Sequence, residues 1–404
     1  MVKAGYKQTE VGEIPNDWSV SAVKEIASVR GGKRLPKGRT LLDQPTGHPY
    51  IRVADMLVGG VDLTDIKYVP DEVAPSIKNY RIGKDDIFIS VAGTLGIVGC
   101  IPEELDGANL TENADKITNI LINKNYLAYW LMSDPIQAEI QQQSTVGAQP
   151  KLALNKIQEF LLALPGDEVE QKIIAAALSD VDALIASLEK LIEKKRDIKT
   201  ATMQQLLTGK KRLPGFGEGK GTKQTELGEI PDDWEVVPLG GLLQIRHGKS
   251  QKDVEDPGGE YPILATGGEI GRAKQPLYSK PSVLIGRKGT IDVPYYMDTP
   301  FWTVDTLFYS EVSDQADAKF LFYKFHFIDW YKYNEASGVP SLSSSTIEKI
   351  LQVVPKERSE QESISSFISD FDSEISLLES KLTKTKAIKQ GMMQELLTGR
   401  TRLV

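Results

Sequence analysis

At 404 residues the chain is long enough for two or three domains with cores that need no covalent staples. Its 40% apolar and 26% charged residues are an ordinary globular composition, and no apolar run approaches the roughly 18 residues of a membrane span. One cysteine, Cys100, and three histidines, His48, His247 and His326, exclude a disulfide scaffold and offer no zinc-ligand spacing, and the net charge of −8 argues mildly against a nucleic-acid partner until its distribution is considered.

No basic-then-apolar signal peptide opens the sequence, so a cytoplasmic location without a membrane partner is expected. The chain begins with a polar lead, Lys7 to Val20, that ends in Ile-Pro-x-Asp-Trp and returns at Lys223 to Val236 with 11 of 14 positions identical and an offset of 216. After the first lead, residues 30–39 carry Arg30, Lys33, Arg34, Lys37 and Arg39 and no acid. Glycine between such cations lets the backbone approach phosphates while the long side chains reach oxygens or guanine edges. A solvated surface loop is the ordinary alternative for any such run. Farther on, Asp86 to Val91 is β-branched and apolar between turn residues, which predicts a strand, and Gly93-Thr94 follows it. Thr94 is a weaker candidate, because glycine after a strand usually marks only a turn.

From Glu170 to about Thr208 proline disappears and apolar residues recur at steps of three and four: Ile174, Leu178, Val181, Ile185, Leu188 and Ile192. That spacing predicts a long helix with a heptad-like seam. The seam meets Lys195, where packing should loosen; Ile198 and Leu206 are expected to resume the stripe, and Gly209 falls where a C-terminal cap belongs. The glycine-rich segment 210–221 reads as a linker.

The second half repeats this plan. Arg246-His247-Gly-Lys249 aligns with Arg30-Gly-Gly-Lys33, and residues 270–291 hold Arg272, Lys274, Lys280, Arg287 and Lys288 without an acid. The run Ser282 to Gly286 predicts a strand, followed by Gly289-Thr290, so Thr290 parallels Thr94. The second helix, Glu360 to about Thr398, carries Ile364, Ile368, Phe371, Ile375, Leu378 and Leu382, then Thr385, with Ile388 and Leu396 continuing the stripe. Ile198 to Leu213 and Ile388 to Leu403 are identical at 10 of 16 positions with an offset of 190, so the second middle is 26 residues shorter. Sharp identity at the ends with divergence between them suggests that the ends keep a shared partner while the middles do different versions of one job.

The expected fold class is α+β: two globular mixed α/β domains, 1–165 and 222–355, separated by an antiparallel two-helix coiled coil of the central helix 166–209 and the C-terminal helix 356–404, as a pseudo-two-fold internal repeat. The antiparallel direction follows from reach. A helix of about 38 residues rises roughly 57 Å, and a linker of about 13 residues spans at most roughly 45 Å, so the second domain starts near the far end of the first helix. Two similar heads on a stiff spacer suit two separated sites on duplex DNA, where half-sites lie roughly 34 Å apart.

Catalytic constellations are missing from the sequence. Gly248-Lys249-Ser250 resembles the tail of a phosphate loop, but Leu243 stands where its first glycine belongs. No Asn/Asp-Pro-Pro-aromatic motif and no serine nucleophile elbow is present. A binding protein, not an enzyme, is expected; the alternatives are a single-chain DNA modification enzyme with fused recognition domains and a duplicated protein-binding scaffold.

The Ile-Pro-x-Asp-Trp leads, the Glu-Gln-x-x-Ile helix starts (Glu170-Gln171 and Glu360-Gln361) and the Leu-Leu-Thr-Gly helix ends (206–209 and 396–399) together resemble the DNA-specificity subunit of type I restriction-modification systems. The resemblance covers essentially the whole chain. It implies that each middle is a target recognition domain reading half of a bipartite, asymmetric double-stranded DNA sequence. It also implies that the helices dock two methyltransferase subunits, with restriction and translocation subunits joining them. S-adenosylmethionine, ATP and magnesium would then belong to the partners, with no cofactor and no metal in this chain. The expected DNA contacts are Arg30, Lys33, Arg34, Lys37, Arg39 and Thr94 in the first head and Arg246, His247, Lys249, Arg272, Lys274, Arg287, Lys288 and Thr290 in the second.

Overall fold

The computed structural model describes residues 3–144 and 151–403, apart from the side chains of residues 143 and 144. The chain folds as two compact units, Met1–Leu188 with Lys381–Val404, and Glu189–Ser380. Each long helix is therefore shared between units, and each unit contains one globular head and segments of both helices.

In the first unit the lead folds as a hairpin, Tyr6–Thr9 against Gly12–Pro15, with Thr9 opposite Gly12. The next strand, Ser19–Ala22, pairs antiparallel with Leu161–Leu164 and so ties the two ends of the head together. Two four-stranded sheets lie between. In the first, Val98–Cys100, Ile87–Ser90, Ala114–Thr118 and Ser28–Gly31 follow one another, all antiparallel. The run predicted around Asp86 to Val91 is its inner strand Ile87–Ser90, buried at every position, which is why its sequence is continuously apolar rather than alternating. The second sheet orders Lys67–Tyr68, Pro49–Ile51, Ala108–Leu110 and Arg81–Ile82, with one parallel pairing between Pro49–Ile51 and Ala108–Leu110. The main core gathers Trp18, Ile87, Ile89, Ile117, Tyr126 and Phe160. Each fully buried side chain of this size contributes about 1.5–3 kcal/mol.

The second unit repeats this with fewer parts. Leu243–His247, Leu307–Val312, Ser282–Gly286 and Tyr295–Met297 form the antiparallel sheet. Gly268–Ala273, Tyr261–Ala265 and Trp302–Thr303 form the second sheet, again with one parallel pairing. The strand Arg81–Ile82 of the first head is reduced here to the single bridge Tyr278–Phe301.

The long helices are Glu168–Leu206 and Arg358–Leu396, 39 residues each. All twelve seam residues named from the sequence are buried or half-buried. The expected continuation is different: Ile198 is 40% and Ile388 58% exposed. At 3.6 residues per turn the stripe passes instead through Lys199 and Lys389 to the buried Met203 and Met393. Nor does packing simply loosen at the polar seam positions, since Thr385 is buried and the half-buried Lys195 pairs with Glu374 at 2.8 Å.

Within each unit the helix segments run in opposite senses. In the first, Asp182 meets Lys389 at 2.6 Å, and Ile174 and Leu178 share a core with Met393, Leu396 and Leu397. In the second, Lys195 pairs with Glu374 and Lys199 with Asp372, and Met203 and Leu206 pack with Ile368 and Ile364.

The repeated sequence ends meet each other here. Glu170, in the first turn of the first helix, is buried, accepting from the Trp18 indole at 3.2 Å and from Arg402, which also reaches Asp17 at 3.2 Å. Glu360, Trp234, Arg212 and Asp233 build the same joint in the second unit, with Trp234 Nε1 to Glu360 at 3.2 Å and Arg212 to Asp233 at 2.9 Å. Gln171 and Gln361 accept the backbone N–H of Asn123 and Asp317, the caps of the head helices Lys124–Leu131 and Ala318–Phe325. Gly399 and Gly209 follow the helices at φ 68° and 72°. A Cβ there would come within 2.6 Å of Pro15 and 2.8 Å of Pro231 respectively. The Pro of each Ile-Pro-x-Asp-Trp lead and the Gly of each Leu-Leu-Thr-Gly end are thus one contact made twice, so the sharp identity of the ends has an internal reason.

Candidate nucleic-acid interface

The duplicated Arg-x-Gly-Lys motif leaves the edge strand of the antiparallel sheet in each head. Arg30 stands on Ser28–Gly31 opposite Lys116, exposed, and Arg246 on Leu243–His247 opposite Tyr309. The glycine that follows lies against the neighbouring backbone. A Cβ at Gly32 would sit 2.0 Å from the Thr111 carbonyl oxygen, and one at Gly248 2.0 Å from that of Val304. Lys33 then donates its N–H to Leu110 O and Lys249 to Thr303 O, both at 2.8 Å. An aromatic side chain fixes each lysine's carbonyl: the Tyr50 hydroxyl on Lys33 O at 3.0 Å, and the Trp302 indole on Lys249 O at 2.9 Å. Different residues hold one backbone geometry, and both lysine side chains are exposed.

The loop after the inner strand forms the second wall. Val91 and Ala92 both donate to Asn113 O, and Arg287 and Lys288 both donate to Thr306 O. The third wall is the segment after Pro150 and Pro340, where Leu152 donates to Val91 O at 3.0 Å and Leu342 to Arg287 O at 2.9 Å. In the first head these walls enclose a cleft of about 930 Å³ that includes Lys33, Arg34, Glu112, Asp115 and Lys151.

Of the first-head candidates, Lys33 and Arg34 line this cleft, whereas Arg30, Lys37, Arg39 and Thr94 do not. Arg34 pairs with Glu112 at 3.1 Å and Arg39 with Glu72 at 3.2 Å, while Lys33 lies 5.7 Å from the Tyr80 ring centre. Thr94 is exposed beside Gly93. In the second head Arg246 pairs with Glu311 at 2.8 Å, and the His247 ring meets Phe308 edge-on at 4.9 Å. Arg287 donates to Asp305 O at 3.2 Å, and Lys249, Lys288 and Thr290 are exposed. Arg272 and Lys274 lie apart from the motif, on or just beyond the strand Gly268–Ala273, where Arg272 pairs with Glu269 at 3.1 Å. These ion pairs are partly open to solvent, so exchanging a carboxylate for a phosphate costs little.

Lys151, Asp115 and Glu112 were not among the residues singled out from the sequence. They reach the cleft from segments far from the basic run; for Lys151 the signal was the Pro-x-Leu shared by Pro150-Lys151-Leu152 and Pro340-Ser341-Leu342 at the helix offset of 190, and Glu112 and Asp115 carry none. Burial pushes the Asp115 carboxyl up to about 6, with Lys151 pulling the other way. Among the described residues no cluster of His, Cys, Asp and Glu could hold a metal ion, and no helix is long and apolar enough to cross a membrane.

The family model described as "Type I restriction modification DNA specificity domain" matches residues 15–195 and again 231–387. The chain named the MjaX type I restriction enzyme specificity subunit of Methanocaldococcus jannaschii is 33% identical over 247 residues, covering 58% of this chain and 55% of that one. The EcoBI specificity subunit of Escherichia coli is 26% identical over 181 residues, 44% of this chain and 38% of its own. The chain thus spans about half the length of the curated relatives it matches. Its fold is that of the S subunit of a type I restriction-modification system from M. genitalium, at TM-score 0.62 and 15% identity over 94% of this chain and 96% of that chain. A chain from a study of complex assembly and conformational transition in the type I system matches at TM-score 0.57 and 16% identity, over 96% and 99%. With both halves matched by one model, this chain belongs to the type I restriction-modification DNA specificity family.

Proposed function

We propose that this chain is a non-catalytic specificity subunit that binds a bipartite, asymmetric double-stranded DNA target and brings methyltransferase and restriction subunits to it. One observation carries the reading: both heads present the same Gly-Lys cradle in different chemical surroundings. A shared cradle suits the phosphate backbone, which every sequence offers, and differing walls suit different bases. Val91 and Ala92 stand in the first head where Arg287 and Lys288 stand in the second, which supports two unlike half-sites.

In this reading the long helices pair antiparallel along their length as a coiled coil, relate the halves by a pseudo-two-fold axis and set the gap between half-sites. The opposite sense of the helix segments within each unit supports it. Two methyltransferase subunits dock on this frame, and S-adenosylmethionine, ATP and magnesium are theirs and those of the restriction subunits. The test is a binding titration of the full chain, alone and with its methyltransferase partner, against duplex DNA over a range of salt. Binding that the partner strengthens and salt weakens, with log K linear in log[salt], is expected. Salt-insensitive or absent binding, or DNA methylation by the purified chain alone, would overturn the reading.

A further inference from the structure

Asp115 stands on the strand Ala114–Thr118 opposite Gly31 and lines the first head's cleft. It is 6% exposed, and among the described residues its carboxylate has no hydrogen-bond donor. Its oxygens are not among the fully enclosed unpaired polar atoms: the residue is packed into the sheet while the carboxylate opens to the cleft, where its donor is water or a bound group. The neighbouring acid, Glu112, differs in being already held by Arg34 and by the Thr111 hydroxyl at 3.3 Å. Opposite Asp115, a Cβ on Gly31 would lie 3.5 Å from its Oδ1, so a longer side chain there would begin to cover the carboxylate. In the second head the corresponding strand pair is Phe308 opposite His247, whose rings fill the place and supply no acidic acceptor.

We infer that Asp115 is a specificity-determining residue of the first head, accepting a hydrogen bond from the exocyclic amino group of a cytosine in the target. The inference rests on the reading of this chain as a duplex DNA binder. Phosphates are repelled by a carboxylate and attracted by Lys33, Arg34 and Lys151, which line the same cleft. Inside that basic frame an acceptor-only group is matched by a donor. In the major groove cytosine and adenine each present one amine, whereas thymine O4 and guanine O6 are acceptors that a carboxylate repels. Adenine N7 lies beside its amine and would face the second carboxylate oxygen; cytosine presents a C–H there. Burial raises the Asp115 carboxyl only to about 6, so it is ionised at neutral pH.

The test compares the wild-type complex with its methyltransferase partner and the Asp115→Asn complex by sequencing the duplexes each retains from a randomised pool. The wild type is expected to fix cytosine at one position of one half-site. Asp115→Asn should lower that preference roughly tenfold and admit adenine, which an amide reads through N6 and N7, with the other half-site and the salt slope unchanged. A second arm needs no variant: the wild-type complex should bind a duplex with 2-pyrimidinone at that position, which lacks the amine, roughly tenfold more weakly. An unchanged profile in Asp115→Asn, a uniform loss over all sequences, or indifference to the analogue overturns this inference alone. Failure of the wild-type complex to bind duplex DNA overturns the functional reading as well.

Discussion

The indole of Trp18 donates at 3.2 Å to the carboxylate of Glu170, 152 positions farther along the chain. The helix thereby starts on the tryptophan that closes the lead, and Arg402, from the far end of the chain, completes the joint within the same unit. In the second joint Arg212 plays the part of Arg402. Arg212 is the more deeply set, at 15% side-chain exposure against 32%.

Removing either arginine leaves a buried glutamate with its indole donor alone. Breaking a buried ion pair costs about 3–5 kcal/mol, less where one partner is wetted. Arg212→Ala is expected to lower stability by about 3 kcal/mol, and Arg402→Ala by about 2, in denaturant unfolding followed by tryptophan fluorescence. Equal or negligible losses would contradict the assigned burial.

Gly399 combines a left-handed backbone with close contact to Pro15. Gly399→Ala is therefore expected to destabilise the first unit by about 1–3 kcal/mol, and Gly209→Ala the second by a similar amount. Limited proteolysis should locate the loosening in the unit that carries each change.

Lys33 and Lys249 sit on matched backbones and are both exposed. As phosphate contacts, each on mutation to Ala should weaken binding to all duplexes alike and flatten the log–log salt slope by about 1. A change of preference at one base position would instead mark the lysine as a base reader.

Asp115 has a folded-state pKa of about 6, above the value of about 3.9 for an unfolded aspartate. The folded chain therefore binds more protons between those values, and stability falls as pH rises through that window. Lys151 opposes the shift, and Lys33, Arg34 and Glu112 share the cleft. Asp115→Asn removes the penalty. The variant should exceed the wild type by about 1–2 kcal/mol at pH 8, with the difference closing towards pH 4, in urea unfolding at each pH.

Much of the fold was legible in the sequence because it depends on local pattern. The inner strands Ile87–Ser90 and Ser282–Gly286 are short apolar runs between turn residues, and the long helices announce themselves by spacing. Ile198 and Ile388 misled, because an apolar residue one position off the stripe looks the same in a string of letters as one on it. The aliphatic stems of Lys199 and Lys389 fill the stripe position instead, with their ammonium groups on Asp372 and Asp182.

The candidate site was legible only where the chain repeats itself, at Arg30-x-Gly-Lys33 and Arg246-x-Gly-Lys249. The rest of the cleft is assembled from separate segments around residues 31–34, 91–92, 112–115 and 151–154. A carboxylate such as Asp115 has no local signature, since its place in the cleft wall without a donor among the described residues is a property of the packed sheet and not of its neighbours in sequence.

Mapping the methylated positions in DNA from cells that carry this chain with its methyltransferase tests the central claim most directly. Two unlike sequence blocks separated by a fixed number of unread base pairs are the predicted result. A contiguous site, or a perfect palindrome read identically by both halves, would contradict it.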